Sequence, residues 1–171
     1  MKKRAITLLA AMVCLTCATR LVGQSFHTGE TTKLKAFLRQ NAADEGKKNY
    51  QQLGIADTNA IDWATVTGLT WGADGRLTAI KWDDKYLAGD LDLSDFDSLR
   101  ERRCQMNSLT SLLLTRDSAL VHVDCYTNEL TRMDITTNVN LQHFCCRYNR
   151  LPTLDVTRNT RLTFLCLSGN L

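Results

Sequence analysis

The sequence holds a single proline, Pro152, in 171 residues. Without a proline-rich or serine-rich run there is no composition for an interdomain linker, and the chain reads as one domain. The motifs that carry much catalytic chemistry are also missing. There is no glycine-rich phosphate loop, no HExxH and no GxSxG. No CxxC or HxxxH spacing offers the paired ligands of a common zinc site. No apolar run reaches the ~18–20 residues of a membrane-spanning helix. The run Ala5 to Cys17 falls short of that and follows Lys2, Lys3 and Arg4. A short apolar segment behind a basic start reads as a secretory signal, assigned to residues 1–23, with cleavage after Ala18 or Gly23. Leu15-Thr16 before Cys17 fits a lipid anchor poorly. Removing the signal takes four basic residues and no acid, leaving seventeen basic side chains against eighteen acidic ones. That balance gives no reason to expect nucleic acid as a partner.

What the chain has instead is an internal period. Leu99, Leu120, Leu141 and Leu162 recur every 21 residues. So do Cys104, Cys125, Cys146 and Leu167, then Asn107, Asn128, Asn149 and Asn170, and then Leu109, Leu130 and Leu151. One unit precedes these, with Leu77, Ile80, Trp82 and Leu87, and Lys85 in the asparagine column. Its spacing to the next unit is 22, which implies an insertion near Gly89. Within each unit apolar and polar residues first alternate with the strand period of two. The asparagine then marks a bend, where its amide can satisfy backbone groups. The second half, as in "LTRMDI" and "LPTLDV", offers another short extended segment on the opposite side. A lone unit cannot cover its own apolar residues, so units must stack. Two positions depart from the pattern. Arg102 occupies an apolar column, and Phe96 stands where later units have Asp117, Asn138 and Asn159. The second unit is therefore expected to be irregular.

The pattern LxxLxLxxNxL resembles the leucine-rich repeat family. The halves "LTSLLLTRDSA", "LTRMDITTNVN" and "LPTLDVTRNTR" resemble the 21-residue units of secreted bacterial surface proteins. The run "GLTW…GRLTAIKW…LAGDLDLS" resembles the segment that opens many bacterial and plant leucine-rich repeat domains. The resemblance implies an α+β fold: a leucine-rich repeat solenoid with a parallel concave sheet behind an N-terminal helix and hairpin cap. The cap is assigned to residues 24–76 and the repeats, about 4.5 units, to residues 77–171. In the cap, Leu34, Phe37 and Leu38 have the spacing of an amphipathic helix. "DEGKKNYQQLGI" offers a second helix with Tyr50 and Leu53 on one face. A hairpin follows, with strands Leu69 to Trp71 and Leu77 to Trp82 about a turn at Ala73-Asp74-Gly75. Trp63, Trp71 and Trp82 are expected in the core. The chain stops inside its fifth unit. It is therefore expected to be an N-terminal fragment of a longer protein, with a truncated gene or a covering partner as the alternatives. The open end is a candidate surface for self-association.

Five cysteines remain after the signal, an odd number that cannot all pair within one chain. Cys104, Cys125 and Cys146 lie in the inward column and are expected as buried apolar side chains. Cys145 and Cys166 lie in an outward column on adjacent strands and are expected as free thiols, with a bridge as the alternative. His122 and His143 share an outward column. Together with Cys145 and Cys166 they lack metal-site spacing, and a Cys145–His143 pair lacks an orienting third group and a pocket. No metal, cofactor or catalytic residue is assigned, and the chain is not expected to be an enzyme. The outward columns are rich in the residue types that interfaces favour. The resemblance implies extracellular recognition or adhesion, with a protein or cell-surface ligand bound on the concave face by Arg103, His122, Tyr126, His143, Arg147, Tyr148 and Phe164. The alternatives are the N-terminal recognition part of a larger secreted enzyme, or a structural spacer.

Overall fold

A computed structural model of the chain describes residues 25–171. The assigned signal segment, 1–23, lies outside the described residues. Among the described residues the helices are α1 (Thr28–Leu38) and α2 (Asn49–Gln52). The strands are β1 (Leu69–Trp71), β2 (Leu77–Lys81), β3 (Ala88–Asp92), β4 (Glu101–Arg103), β5 (Ser108–Leu113), β6 (His122–Asp124), β7 (His143–Cys145) and β8 (Phe164–Cys166). They form a six-stranded sheet, β1-β2-β4-β6-β7-β8, and a two-stranded sheet, β3-β5. Strand β1 pairs with β2 as an antiparallel hairpin. The other pairs in this sheet are all parallel, each strand following the last by one turn of chain. The molecule is thus a β-solenoid of about four turns with 21-residue spacing.

The register matches the columns of the sequence. Ala79, Glu101, His122, His143 and Phe164 align, as do Lys81, Arg103, Asp124, Cys145 and Cys166. Between them runs the inward column Ile80, Arg102, Val123, Phe144 and Leu165. The extra residue of the first spacing falls where expected: the β3–β5 register shifts between Gly89 and Asp90. Gly89 has φ +88°, and a β-carbon there would collide with the Gln40 side chain.

The asparagine column is the device that joins turn to turn. Asn128 Oδ1 accepts the Leu109 N–H at 2.9 Å. Its Nδ2 donates back to the Cys104 carbonyl at 3.0 Å and within its own turn to Cys125 at 3.1 Å. Asn149 repeats this with Leu130, Cys125 and Cys146, and Asn170 with Leu151, Cys146 and Leu167. Each amide so satisfies buried backbone groups that the bend leaves unpaired. The residue before each asparagine turns left-handed: Met106, Thr127 and Tyr148 have φ 54–58° and Gly169 has +73°. A second ladder lies on the other side. Asn138 donates to the Leu114 and Asp117 carbonyls, and Asn159 to those of Ile135 and Asn138. The second extended segment is a hydrogen-bonded sheet only as β3 and β5; the equivalent stretches at Leu130 and Leu151 are irregular.

The departures of the second unit leave its backbone regular and alter its interior. Arg102 keeps its place in the parallel register and points inward, wholly buried. None of its guanidinium nitrogens finds a hydrogen-bond acceptor among the described residues. Phe96 is also buried, and its N–H donates to Asp117 Oδ1 at 2.8 Å. The other Asp117 oxygen has no partner among the described residues. Burial pushes the Asp117 carboxyl up to about 7.

Residues 25–76 pack over the first turn. Leu34, Phe37 and Leu38 of α1 are buried, as their spacing requires. Phe37 stacks on Trp82 at 5.9 Å between ring centres. The backbone of β3, the outer strand of the small sheet, is met by amide side chains. Gln40 accepts from the Asp90 N–H and donates to its carbonyl, both at 2.8 Å, while Asn49 does the same for Ala88. Glu30 Oε2 accepts the Leu77 N–H at 2.8 Å; burial, the largest influence, raises its carboxyl pKa. The second helix is shorter than its sequence suggests. A bridge between Asn41 and Lys48 and a left-handed Gly46 occupy the preceding residues, so only Asn49–Gln52 is helical. Tyr50 and Leu53 nonetheless pack on the core, with Trp63 and Trp71 half-buried beside them and Trp82 fully buried.

Candidate functional site

The sheet presents one face to the core and one outward. The seven residues expected in a binding face stand outward, and the structure gathers six of them into two groups. The first is a stack of rings. His122 lies over His143 at 4.1 Å between ring centres, 5° from parallel. His143 lies over Phe164 at 4.3 Å and 4°. Parallel strands in register hold equivalent side chains about one strand spacing, ~4.8 Å, apart, which is near the distance at which flat rings stack. The second group is built on Arg147. Its guanidinium stands 4.8 Å from the Tyr126 ring centre and 5.6 Å from that of Tyr148, a cation–π arrangement. Tyr148 is exposed, and its ring covers Gly169, where a β-carbon would collide with it.

Arg103 stands apart from both groups. Its Nε lies 2.9 Å from Glu101, whose other oxygen takes Lys81 Nζ at 3.0 Å. Ala79 and Cys145 are outward by register but nearly covered, at 8 and 6% exposure.

The residue that sequence reasoning missed as a partner is Asp124. Its Oδ2 lies 2.9 Å from His122 Nε2 and its Oδ1 3.0 Å from His143 Nε2. One carboxylate therefore bridges two imidazoles on adjacent strands. The signal was present as His-Val-Asp in β6, since residues two apart on a strand share a face, with His143 one period later.

The cysteines divide as their columns imply. Cys104, Cys125 and Cys146 are fully buried free thiols. Burial raises all three thiol pKa values, that of Cys146 to about 12. Cys145 and Cys166 are also free, and burial raises Cys145 as well. A thiol held protonated is a weak nucleophile, and the His143 Nε2 beside it is engaged by Asp124. An open cleft of about 460 Å³ is lined by the segment 53–67; none of the expected binding residues lines it. No described helix is long and apolar enough to cross a membrane.

No protein-family model matches the chain, and no curated protein matches it either.

Proposed function

We propose that the chain is an extracellular recognition module of the leucine-rich repeat type. Residues 24–76 cap the solenoid, and the concave face of the six-stranded sheet grips a protein or cell-surface ligand. The observation that carries this reading is the pair of outward clusters. The hydrophobic core uses neither the Tyr126–Arg147–Tyr148 group nor the His122–His143–Phe164 stack. Large aromatic and arginine side chains are the types that anchor partners, each worth ~2 kcal/mol or more at the centre of an interface. The reading of the first residues as an export signal supports a role outside the cell.

The test compares the chain with Tyr126→Ala/Arg147→Ala for retention on intact cells and on immobilised extracellular proteins. The recognition reading expects wild-type retention that falls by at least about tenfold in the double variant, with the melting curve nearly unchanged. Absence of retention in the wild type favours the structural-spacer alternative, and retention that survives in the double variant runs through another face.

A further inference from the structure

We propose that His122, Asp124 and His143 form a binding site for a divalent transition-metal cation of the zinc class. The two imidazoles are parallel, and their Nε2 atoms meet the two oxygens of one carboxylate at 2.9 and 3.0 Å. All three ligand atoms lie within 4.8 Å of one another. Donors around a tetrahedral ion with bonds of ~2.0–2.2 Å stand roughly 3.3–3.5 Å apart. A bound ion therefore needs the two hydrogen bonds to open by a few tenths of an ångström and the two parallel rings to tilt until both in-plane lone pairs meet on it.

Three features of the fold favour this over a casual cluster. The parallel ladder sets the His122–His143 spacing from the backbone, and Phe164 holds the His143 ring from its other side. Asp124 is not taken by the neighbouring cations: Arg103 precedes it in its own column but binds Glu101, as does Lys81. All three side chains are partly open to solvent, at 27, 17 and 30% exposure. The outward side thus has room for a fourth ligand, water or a donor from a partner, as in open zinc sites.

The donor set selects the ion. Two imidazole nitrogens and one carboxylate oxygen suit zinc and its neighbours, whereas calcium and magnesium want an oxygen cage. Ligation through Nε2 requires that nitrogen to be free of its proton, so each neutral ring carries its proton on Nδ1 in the complex. Neither Nδ1 has a hydrogen-bond partner among the described residues. Without that outer support the affinity belongs to the modest class, since such partners are worth about 10–100-fold. This set replaces the His122, His143, Cys145 and Cys166 combination weighed from sequence, in which no metal was expected: the carboxylate stands where thiols were considered. The proposal is independent of the recognition reading, because its test uses the ion alone.

The experiment titrates zinc into the chain, with thiols kept reduced, by calorimetry and by NMR of the histidine rings. A Cys145→Ser/Cys166→Ser background separates thiol ligation. The expected result is one zinc per chain in both proteins, with the His122 and His143 ring signals moving together. His143→Gln and Asp124→Asn should each weaken binding by at least about tenfold. With cobalt, the complex should show no thiolate charge-transfer band. The Asp124→Asn side chain is nearly isosteric, so it reports on ligation even if His143→Gln alters the fold. Two results overturn the proposal. One is no binding at millimolar zinc. The other is binding that survives both His143→Gln and Asp124→Asn but is lost in the cysteine double variant.

Discussion

The two faces of the same short strands follow different rules. Inward, two columns hardly change from turn to turn: Cys104, Cys125 and Cys146 stack fully buried beside the ladder of Asn107, Asn128, Asn149 and Asn170. Outward, charge and chemistry vary along each column. Glu101, His122, His143 and Phe164 share one column, and Arg103, Asp124, Cys145 and Cys166 the next. The cause is packing. Each inward residue must fit the gap left by its equivalents one turn away, and each asparagine must reach backbone groups of two turns. An outward side chain meets only lateral neighbours and solvent. The solenoid is held from within, and its outer columns are left for chemistry.

Breaking an inward ladder should therefore have the largest effect. Asn128→Ala leaves the Leu109 N–H and the Cys104 and Cys125 carbonyls without the amide that joins them. The two carbonyls keep a second donor, from Asn107 and Asn149, so the N–H is the group left unpaired, at about 1–3 kcal/mol, and each lost carbonyl bond adds about 0.5–1.5 kcal/mol. The expected loss is on the order of 2–4 kcal/mol, read from urea denaturation. A loss under ~1 kcal/mol would mean that water serves the bend as well as asparagine does.

The inward face also has two misfits, and these sharpen the comparison. Asp117 stands in the column of Asn138 and Asn159, and its carboxyl is raised from 3.8 to about 7, chiefly by burial. Below the lower value both the folded and unfolded states hold the proton. As pH rises through the window, the unfolded chain releases its proton while the folded one retains it, so stability falls; the loss is complete above the upper value. It amounts to ~2–4 kcal/mol. Asp117→Asn should recover it at pH 8, change little at pH 4 and flatten the stability profile between. The new amide is placed to donate to the Leu93 and Phe96 carbonyls, as Asn138 does to those of Leu114 and Asp117 one turn on. A variant that tracks the wild type at every pH would remove Asp117 as the source.

Arg102 is the second misfit. Its buried guanidinium lies beside the Cys104 thiol and lowers the Asp117 pKa from a distance. Replacing buried charge by apolar side chains of similar volume is often neutral or stabilising by ~1–4 kcal/mol. Arg102→Leu, matching Val123 and Phe144 in its column, should raise the unfolding free energy by an amount in that range, read as a higher urea midpoint. It should also move the Asp117 transition to higher pH, because a nearby positive charge has gone. Destabilisation would mean that the arginine is held by interactions worth more than its desolvation.

Much of this arrangement was legible in the sequence. A 21-residue period fixes which residues share a column, and the alternation within each unit fixes which face they take, so the sheet register and the cysteine column follow from spacing alone. The turn chemistry was legible through the asparagines. Arg102 was recognisable as out of place, but not what would yield. The neighbouring strands hold the backbone in register through Glu101, Arg102 and Arg103, so the side chain is buried and the turn stays regular. Asp124 as a hub was hidden because its second partner, His143, comes from another strand. The extent of α2 was hidden for a similar reason, since the Asn41–Lys48 bridge that limits it pairs residues a local pattern does not connect.

A solenoid held from within should tolerate changes in its outward columns at little cost to the fold. Urea denaturation of Tyr126→Ala/Arg147→Ala beside the wild type tests it most directly. Exposed substitutions usually stay within ~0.5 kcal/mol, and removing the cation–π attraction between the two side chains adds about 0.5–1 kcal/mol. The expected destabilisation is about 1 kcal/mol or less, with the cooperativity of unfolding unchanged. A destabilisation as large as that of Asn128→Ala would contradict it and would make Tyr126 and Arg147 part of what holds the turns together.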